Sequence, residues 1–179
     1  MRFGWARTAI VVAMMGVLAA CGRSETASGA GDAAANLQAA EAFLAKNATA
    51  EGIQVLPSGV QYKVLKSGPA GGATPDGNDL VLVNYEGSLT DGTVFDSSFE
   101  RGQPYATHLE QVVPGWTAAL SRMKVGDEWL IYIPPALGYG ERGGGAKIPS
   151  NAVLVFRVQL LDVADIPGAP RPGPTSVQA

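Results

Sequence analysis

The chain has 179 residues, with 13 Lys and Arg against 16 Asp and Glu for a formal net charge of −3, which is length for one ordinary domain and too little for two. This slightly acidic balance excludes the basic footprint of a nucleic-acid-binding protein. A single cysteine, Cys21, and a single histidine, His108, exclude a disulfide framework, a thiolate metal site and a His-rich metal cluster. There is no Gly-x-Ser-x-Gly elbow or P-loop, and Gly143-Gly144-Gly145 is a bare glycine run without a lysine-plus-hydroxyl partner for phosphate. Hydrolases and cofactor enzymes are unsupported, and no cofactor is expected. What remains is binding, or chemistry that needs no nucleophile.

In chain order, residues 1–20 read as a processing signal. Arg2 and Arg7 form the positive start, and Thr8 to Ala20 is an uncharged, mostly apolar run. That run is short of the roughly 20 residues a membrane-spanning helix needs and fits a secretory apolar region. It ends in Leu18-Ala19-Ala20-Cys21, which resembles the lipobox of bacterial lipoproteins. The resemblance implies cleavage before Cys21 and lipidation of its thiol. Gly22 after the cysteine, where Asp is absent, favours the outer membrane facing the periplasm. Residues 21–36, rich in glycine, alanine and serine, read as a flexible tether. Residues 37–54 read as a short helical lead-in, with Asn36 as cap, Leu37, Phe43 and Leu44 as its apolar positions, and Gly52 past its end. A helix of about three turns predicts a monomer, because it offers few positions for a helical dimer.

The main domain is expected over 55–164. Val60 to Lys66 alternates as a half-buried strand, Gly68 to Gly77 is turn-rich, and Leu80 to Tyr85 is a β-branched run. Asp91-Gly92 is a hairpin signal leading into Thr93-Val94-Phe95. Pro114 to Met123 is the one helical stretch of this domain, with Trp116, Leu120 and Met123 on one face and Gly126-Asp127 to stop it. Glu128 to Ile133 alternates again, and Val153 to Val163 is a long terminal strand. Strands on either side of one short helix imply an α+β fold, a curved antiparallel half-barrel wrapped over that helix. The Pro- and Gly-rich stretch Pro134 to Pro149 is flanked by strands, so it is an ordered loop inside the domain. Residues 165–179 read as a disordered tail.

Five segments then stand in order: Val83-Asn84-Tyr85-Glu86-Gly87, Gly92 to Ser98, Gln111 to Trp116, Ile131 to Pro134 through Leu137-Gly138-Tyr139-Gly140, and Ile148-Pro149 with Leu154-Val155-Phe156. Together they resemble the signature run of the FKBP-type peptidyl-prolyl isomerases over roughly 55–163, and the preceding stretch is similar to the lead-in of bacterial secreted members. The resemblance implies a catalytic pocket of Tyr85, Phe95, Asp96, Trp116, Tyr139 and Phe156, with Arg101, Val112, Val113 and Ile148 binding substrate. Trp116 would be the floor under the proline ring, and Phe95 and Phe156 the walls. Tyr139 and the Val113 N–H would donate to a ligand carbonyl. Asp96 would sit at the mouth beside Arg101, held by the Tyr85 hydroxyl. The sequence departs from the family pattern at Tyr105, Thr107 and Gly144, all rim or wall positions bearing on substrate preference and macrolide affinity.

The residue set fits the chemistry on its own terms. Rotation about an X–Pro bond is slow because breaking amide resonance costs about 18–20 kcal/mol. In the twisted transition state charge separation falls, and with it the demand for water. A dry aromatic pocket therefore favours the twisted amide over the planar one. Asp96 is expected to keep an ordinary carboxylate pKa of about 4, and the expected partners are Pro-containing segments of exported proteins, with macrolides such as rapamycin as ligands. Two other readings stay open: a non-catalytic holdase that grips Pro segments, and a host-interaction lipoprotein. The segment between Tyr132 and Phe156 is too short for the flap domain of chaperoning relatives.

Overall fold

A computed structural model describes residues 25–164. The expected signal segment 1–20, the lipidation residue Cys21 and the tail 165–179 lie outside the described residues.

The first helix, α1 (Glu25–Asn47), begins at Glu25 and not at Leu37, so most of the stretch read as a tether is helical. Alanine dominates this segment, and alanine is the best helix former. Gly29 and Gly31, which suggested a linker, cost only about 1 kcal/mol each in a helix. Packing supplies the rest. Ala40 is buried, the Phe43 ring lies 6.0 Å from Tyr132, and Gln61 Nε2 donates to the Leu44 carbonyl at 2.8 Å while its Oε1 accepts from Asn47. These contacts hold the C-terminal half of the helix against the domain that follows.

That domain is a seven-stranded antiparallel sheet. Its strands are β1 (Ile53–Val55), β2 (Gln61–Lys66), β3 (Leu80–Ser88), β4 (Val94–Ser97), β5 (Tyr105–His108), β6 (Glu128–Ile133) and β7 (Leu154–Ala164). They run in the order β1-β2-β6-β7-β3-β4, with β5 also paired to β3. The expected α+β architecture is present. β1, which the sequence did not announce, is a three-residue edge strand set by its pairing with β2.

Period-two alternation decides which face each strand buries. In β3 the side chains of Val81, Val83 and Tyr85 are buried with Gly87, and in β6 those of Trp129, Ile131 and Ile133. This face packs on α3 (Pro114–Leu120), whose Trp116, Ala119 and Leu120 join the same core. Pro114 stands at the first helical position, where a missing N–H costs nothing and the fixed φ suits the turn. The helix stops at Leu120, earlier than the expected Gly126-Asp127. Met123 reaches the core from the turn that follows, fully buried. Contact between α3 and β6 is close because Gly115 lacks a side chain: a Cβ there would stand 2.3 Å from Cγ2 of Ile133. α1 lies on the other face, since Tyr132 alternates with Ile131 and Ile133.

Candidate active site

Strand β3 has two partners on one edge. β4 pairs with its residues 86–88 and β5 with its residues 80–83. Between them the chain makes a single helical turn, α2 (Ser98–Arg101), which the sequence reading did not anticipate. Ser97 caps it, its Oγ accepting from the Glu100 N–H. Gly102 ends it at φ 67°, a left-handed conformation that glycine adopts freely. The Tyr85 N–H falls opposite this gap in the ladder, and the buried Ser98 Oγ accepts from it at 2.8 Å. One turn of helix thus replaces one rung of the sheet. It also carries Arg101 back over Asp96.

Arg101 and Asp96 form an ion pair, the Tyr85 hydroxyl donates to the same carboxylate, and a guanidinium N–H of Arg101 donates to the Tyr85 hydroxyl at 3.0 Å. The guanidinium also lies 5.4 Å from the centre of the Tyr85 ring. Burial pushes the Tyr85 phenol up, the hydrogen bond to Asp96 adds to it, and the pKa reaches about 12. For Asp96, partial burial opposes ionisation, but the hydrogen bonds from Tyr85 and Arg101 outweigh it and hold the carboxyl below the ordinary range. This corrects the expectation of an ordinary value.

The triad borders a cavity of about 590 Å³. Tyr85, Phe95, Asp96, Val112, Val113, Trp116, Tyr139, Ile148 and Phe156 all line it, so the structure brings together nine of the expected residues. Arg101 does not line it and stands outside, on Asp96. Trp116 from α3, Tyr85 from β3 and Phe156 from β7 form an aromatic floor. The Trp116 ring meets each of the other two edge-on, with centroids 5.2 Å apart and an interplanar angle of 85°. Phe95 meets Phe156 in the same way at 5.6 Å. Edge-to-face pairing matches the positive rim of one ring to the negative face of the next, which fixes ring orientation without filling the cavity. Trp116 Nε1 is buried without a partner among the described residues. Neither the Val113 N–H nor the Tyr139 hydroxyl has a hydrogen-bond partner among the described residues, and Tyr139 is 45% exposed at the rim.

Several residues beyond the expected set also line the cavity. Gln111, Ala146 and Lys147 join the cavity, as do Tyr105 and Gly144, which were singled out only as departures from a pattern. Lys147 Nζ donates to the Phe95 carbonyl across the mouth at 3.3 Å. Its place immediately before Ile148 in the glycine-rich loop was the available signal. Thr107 is buried and outside the lining, and His108 is likewise not part of it.

Comparisons with known proteins match most of the chain. The sequence model of the FKBP-type peptidyl-prolyl cis-trans isomerases matches residues 71–161, and that of the domain amino-terminal to such isomerases matches residues 9–64. The chain is 49% identical over 128 residues to the peptidyl-prolyl cis-trans isomerase Mip of Coxiella burnetii, covering 72% of this chain and 55% of that protein. It is 46% identical over 123 residues to the outer membrane protein MIP of Legionella longbeachae, covering 69% and 52%. Among solved structures, a peptidyl-prolyl cis-trans isomerase from Pseudomonas syringae superimposes with a TM-score of 0.69 at 36% identity, covering 74% of this chain and 96% of that one. The chain spans about half the length of the curated relatives it matches. With its sheet, its aromatic cavity and these matches in agreement, the chain belongs to the FKBP-type peptidyl-prolyl cis-trans isomerase family.

Proposed function

We propose that this chain is a peptidyl-prolyl cis-trans isomerase that acts on Xaa-Pro bonds of exported proteins in the cell envelope. The observation that carries the reading is the aromatic cavity with an N–H and a hydroxyl at its rim that have no partner among the described residues, and no serine, threonine, cysteine or histidine among the residues described as lining it. The proline ring rests on Trp116 between Phe95 and Phe156. The Val113 N–H and the Tyr139 hydroxyl hold the carbonyls on either side. Water is excluded from the amide, so the twisted state, with less charge separation, is favoured relative to the planar one. A thousandfold acceleration needs about 4 kcal/mol, within the reach of desolvation, while the two placed hydrogen bonds add binding that the planar and twisted amides share. Tyr85, Asp96 and Arg101 form a polar cluster beside the floor: Asp96 stays ionised, Tyr85 stays protonated, and neither exchanges a proton with substrate. Macrolides such as rapamycin compete for the same cavity.

The Leu-Ala-Ala-Cys run supports lipidation at Cys21 and attachment to the outer membrane. The name of the Legionella relative fits that location. A monomer is supported by a different argument from the one helix length suggested. α1 is longer than three turns, but Ala40 and Phe43 are already spent on its own domain. The test is an NMR exchange or protease-coupled assay on a Xaa-Pro tetrapeptide, with and without rapamycin. Catalysed exchange abolished by rapamycin is expected. Binding of the peptide with no gain in exchange rate would favour a holdase.

A further inference from the structure

The loop between β6 and β7 carries Tyr139 and Ile148 to the cavity and closes on itself at two places. Gly144 N–H donates to the Ile148 carbonyl at 2.9 Å near the tip, and Asn151 N–H donates to the Gly140 carbonyl at 2.8 Å at the base. Asn151 is the one described residue other than glycine with a left-handed backbone, at φ 54°, and it is buried. Asparagine is among the few residues that tolerate this conformation. Its side chain makes no bond within the loop. Nδ2 donates instead to the Ala33 carbonyl on α1, at 2.9 Å, across 118 positions of sequence. Next to it, Asn36 Nδ2 of α1 donates back to the Ser150 carbonyl at 3.0 Å, with Ser150 Oγ at 3.4 Å. α1 is in turn fixed at its other end to β2 through Asn47, Leu44 and Gln61. The helix therefore ties the rigid sheet to the base of the loop that presents the rim hydroxyl and one wall.

We propose that α1 is a strut for the cavity, and that Asn36 and Asn151 are positioning residues which set Tyr139 and Ile148 for substrate through this joint. The proposal rests on the isomerase reading above. The reciprocal amide pair fixes both the height and the rotation of the loop base, which a single hydrogen bond does not. Tyr139 lies one residue before Gly140, the acceptor of the Asn151 N–H, so a shift of the base moves the rim hydroxyl with little loss along the chain. A loop positioned less well binds substrate less tightly but leaves the dry aromatic floor, where the amide twists, in place. The signature is a rise in KM with kcat nearly kept.

The test uses the full chain without its first 20 residues and three variants, Asn151→Gly, Asn36→Ala and the pair combined. Glycine keeps the left-handed backbone and removes only the side-chain tie, so it separates positioning from strain. Line-shape NMR on a Xaa-Pro tetrapeptide gives KM and kcat separately, with thermal melts alongside. Each single variant is expected to raise KM about three- to tenfold with kcat within about twofold, as a loss of ground-state and transition-state binding together requires. The double variant should add little, since both ties serve one joint, and amide shifts should move at Tyr139, Gly144 and Ile148. Unchanged KM in an active wild-type background would overturn the strut, as would a lowered melting temperature with KM unchanged. A wild-type protein that binds the peptide but does not accelerate exchange would overturn the isomerase reading instead. In that case the strut is judged on peptide affinity in the same titration.

Discussion

Gly87 pairs with Phe156 across the β3–β7 ladder, and a Cβ on Gly87 would stand 2.7 Å from Cε1 of Phe156 and 2.6 Å from Cε2 of Phe95. Both distances are well inside van der Waals contact. The two aromatic walls can meet edge-on only because the strand between them has no side chain at that place. Gly87→Ala should therefore force the rings apart, costing about 1–3 kcal/mol as overpacking does, and lower kcat/KM in the same protein. A thermal melt and a peptide assay check this, and a variant with wild-type values in both would contradict it.

Substitutions in the cavity should rank by shape and dryness. Phe156→Ala removes a ring that touches Trp116, Tyr85 and Phe95, and should cost about 3–5 kcal/mol of stability with most of the activity. Trp116→Ala should behave similarly. Tyr139→Phe removes one hydroxyl from an exposed rim position, worth about 1 kcal/mol, and should reduce kcat/KM by no more than about tenfold. Assays below each variant's melting transition separate the two effects, and a Tyr139→Phe enzyme as inactive as Trp116→Ala would argue against the ranking.

The rate should be nearly flat from about pH 6 to 8, because no proton moves in the mechanism. The Asp96 carboxyl lies below the ordinary range and the Tyr85 phenol is pushed up to about 12, so both keep one protonation state throughout that window. Asp96→Asn, if its melt is close to wild type, should retain most activity. A bell-shaped profile in the wild type, or near-complete loss in a folded Asp96→Asn protein, would require an acid–base step.

Acid stability should depend on Asp127. Its carboxylate is buried and accepts from the Gly68 N–H at 2.6 Å, the Lys124 N–H at 3.0 Å and Lys124 Nζ at 2.8 Å. Burial works against the charge, but these hydrogen bonds outweigh it, so the folded pKa is lowered. The stabilisation is thus fully present above the unfolded value of about 4 and is lost as pH falls through the lower folded value. Asp127→Asn keeps the shape but loses the charge, and should lower stability at pH 7 by about 2 kcal/mol while the gap to wild type narrows as pH falls below the unfolded value of about 4. Parallel melting curves for the two proteins across that range would refute it.

Lipidation predicts that Cys21→Ala leaves the protein either unprocessed or free in the soluble fraction. Each buried methylene contributes about 0.8 kcal/mol and more than one acyl chain is needed for lasting attachment. Wild-type protein should need detergent to leave the membrane. Release by salt alone would rule out the anchor.

The sequence by itself determined the sheet and its core face. The alternation in β3, β6 and β7, and the apolar stripe of Trp116 and Leu120 on α3, depend only on the repeat of strand and helix, so they are legible without knowing any partner. The order of the motif segments likewise pointed to the residues that meet in the cavity. What only tertiary structure decided are the matters that turn on which distant residue lies opposite. The helix α1 extends to Glu25 because its later turns have a sheet to lie on. The carboxyl of Asp96 is depressed because a one-turn helix returns Arg101 to it and β3 aims Tyr85 at it. The tie from Asn151 to Ala33 crosses most of the chain. Periodicity carries local geometry along the chain, whereas a hydrogen bond or an ion pair across the fold has no counterpart in local spacing and comes into being only when the strands have paired.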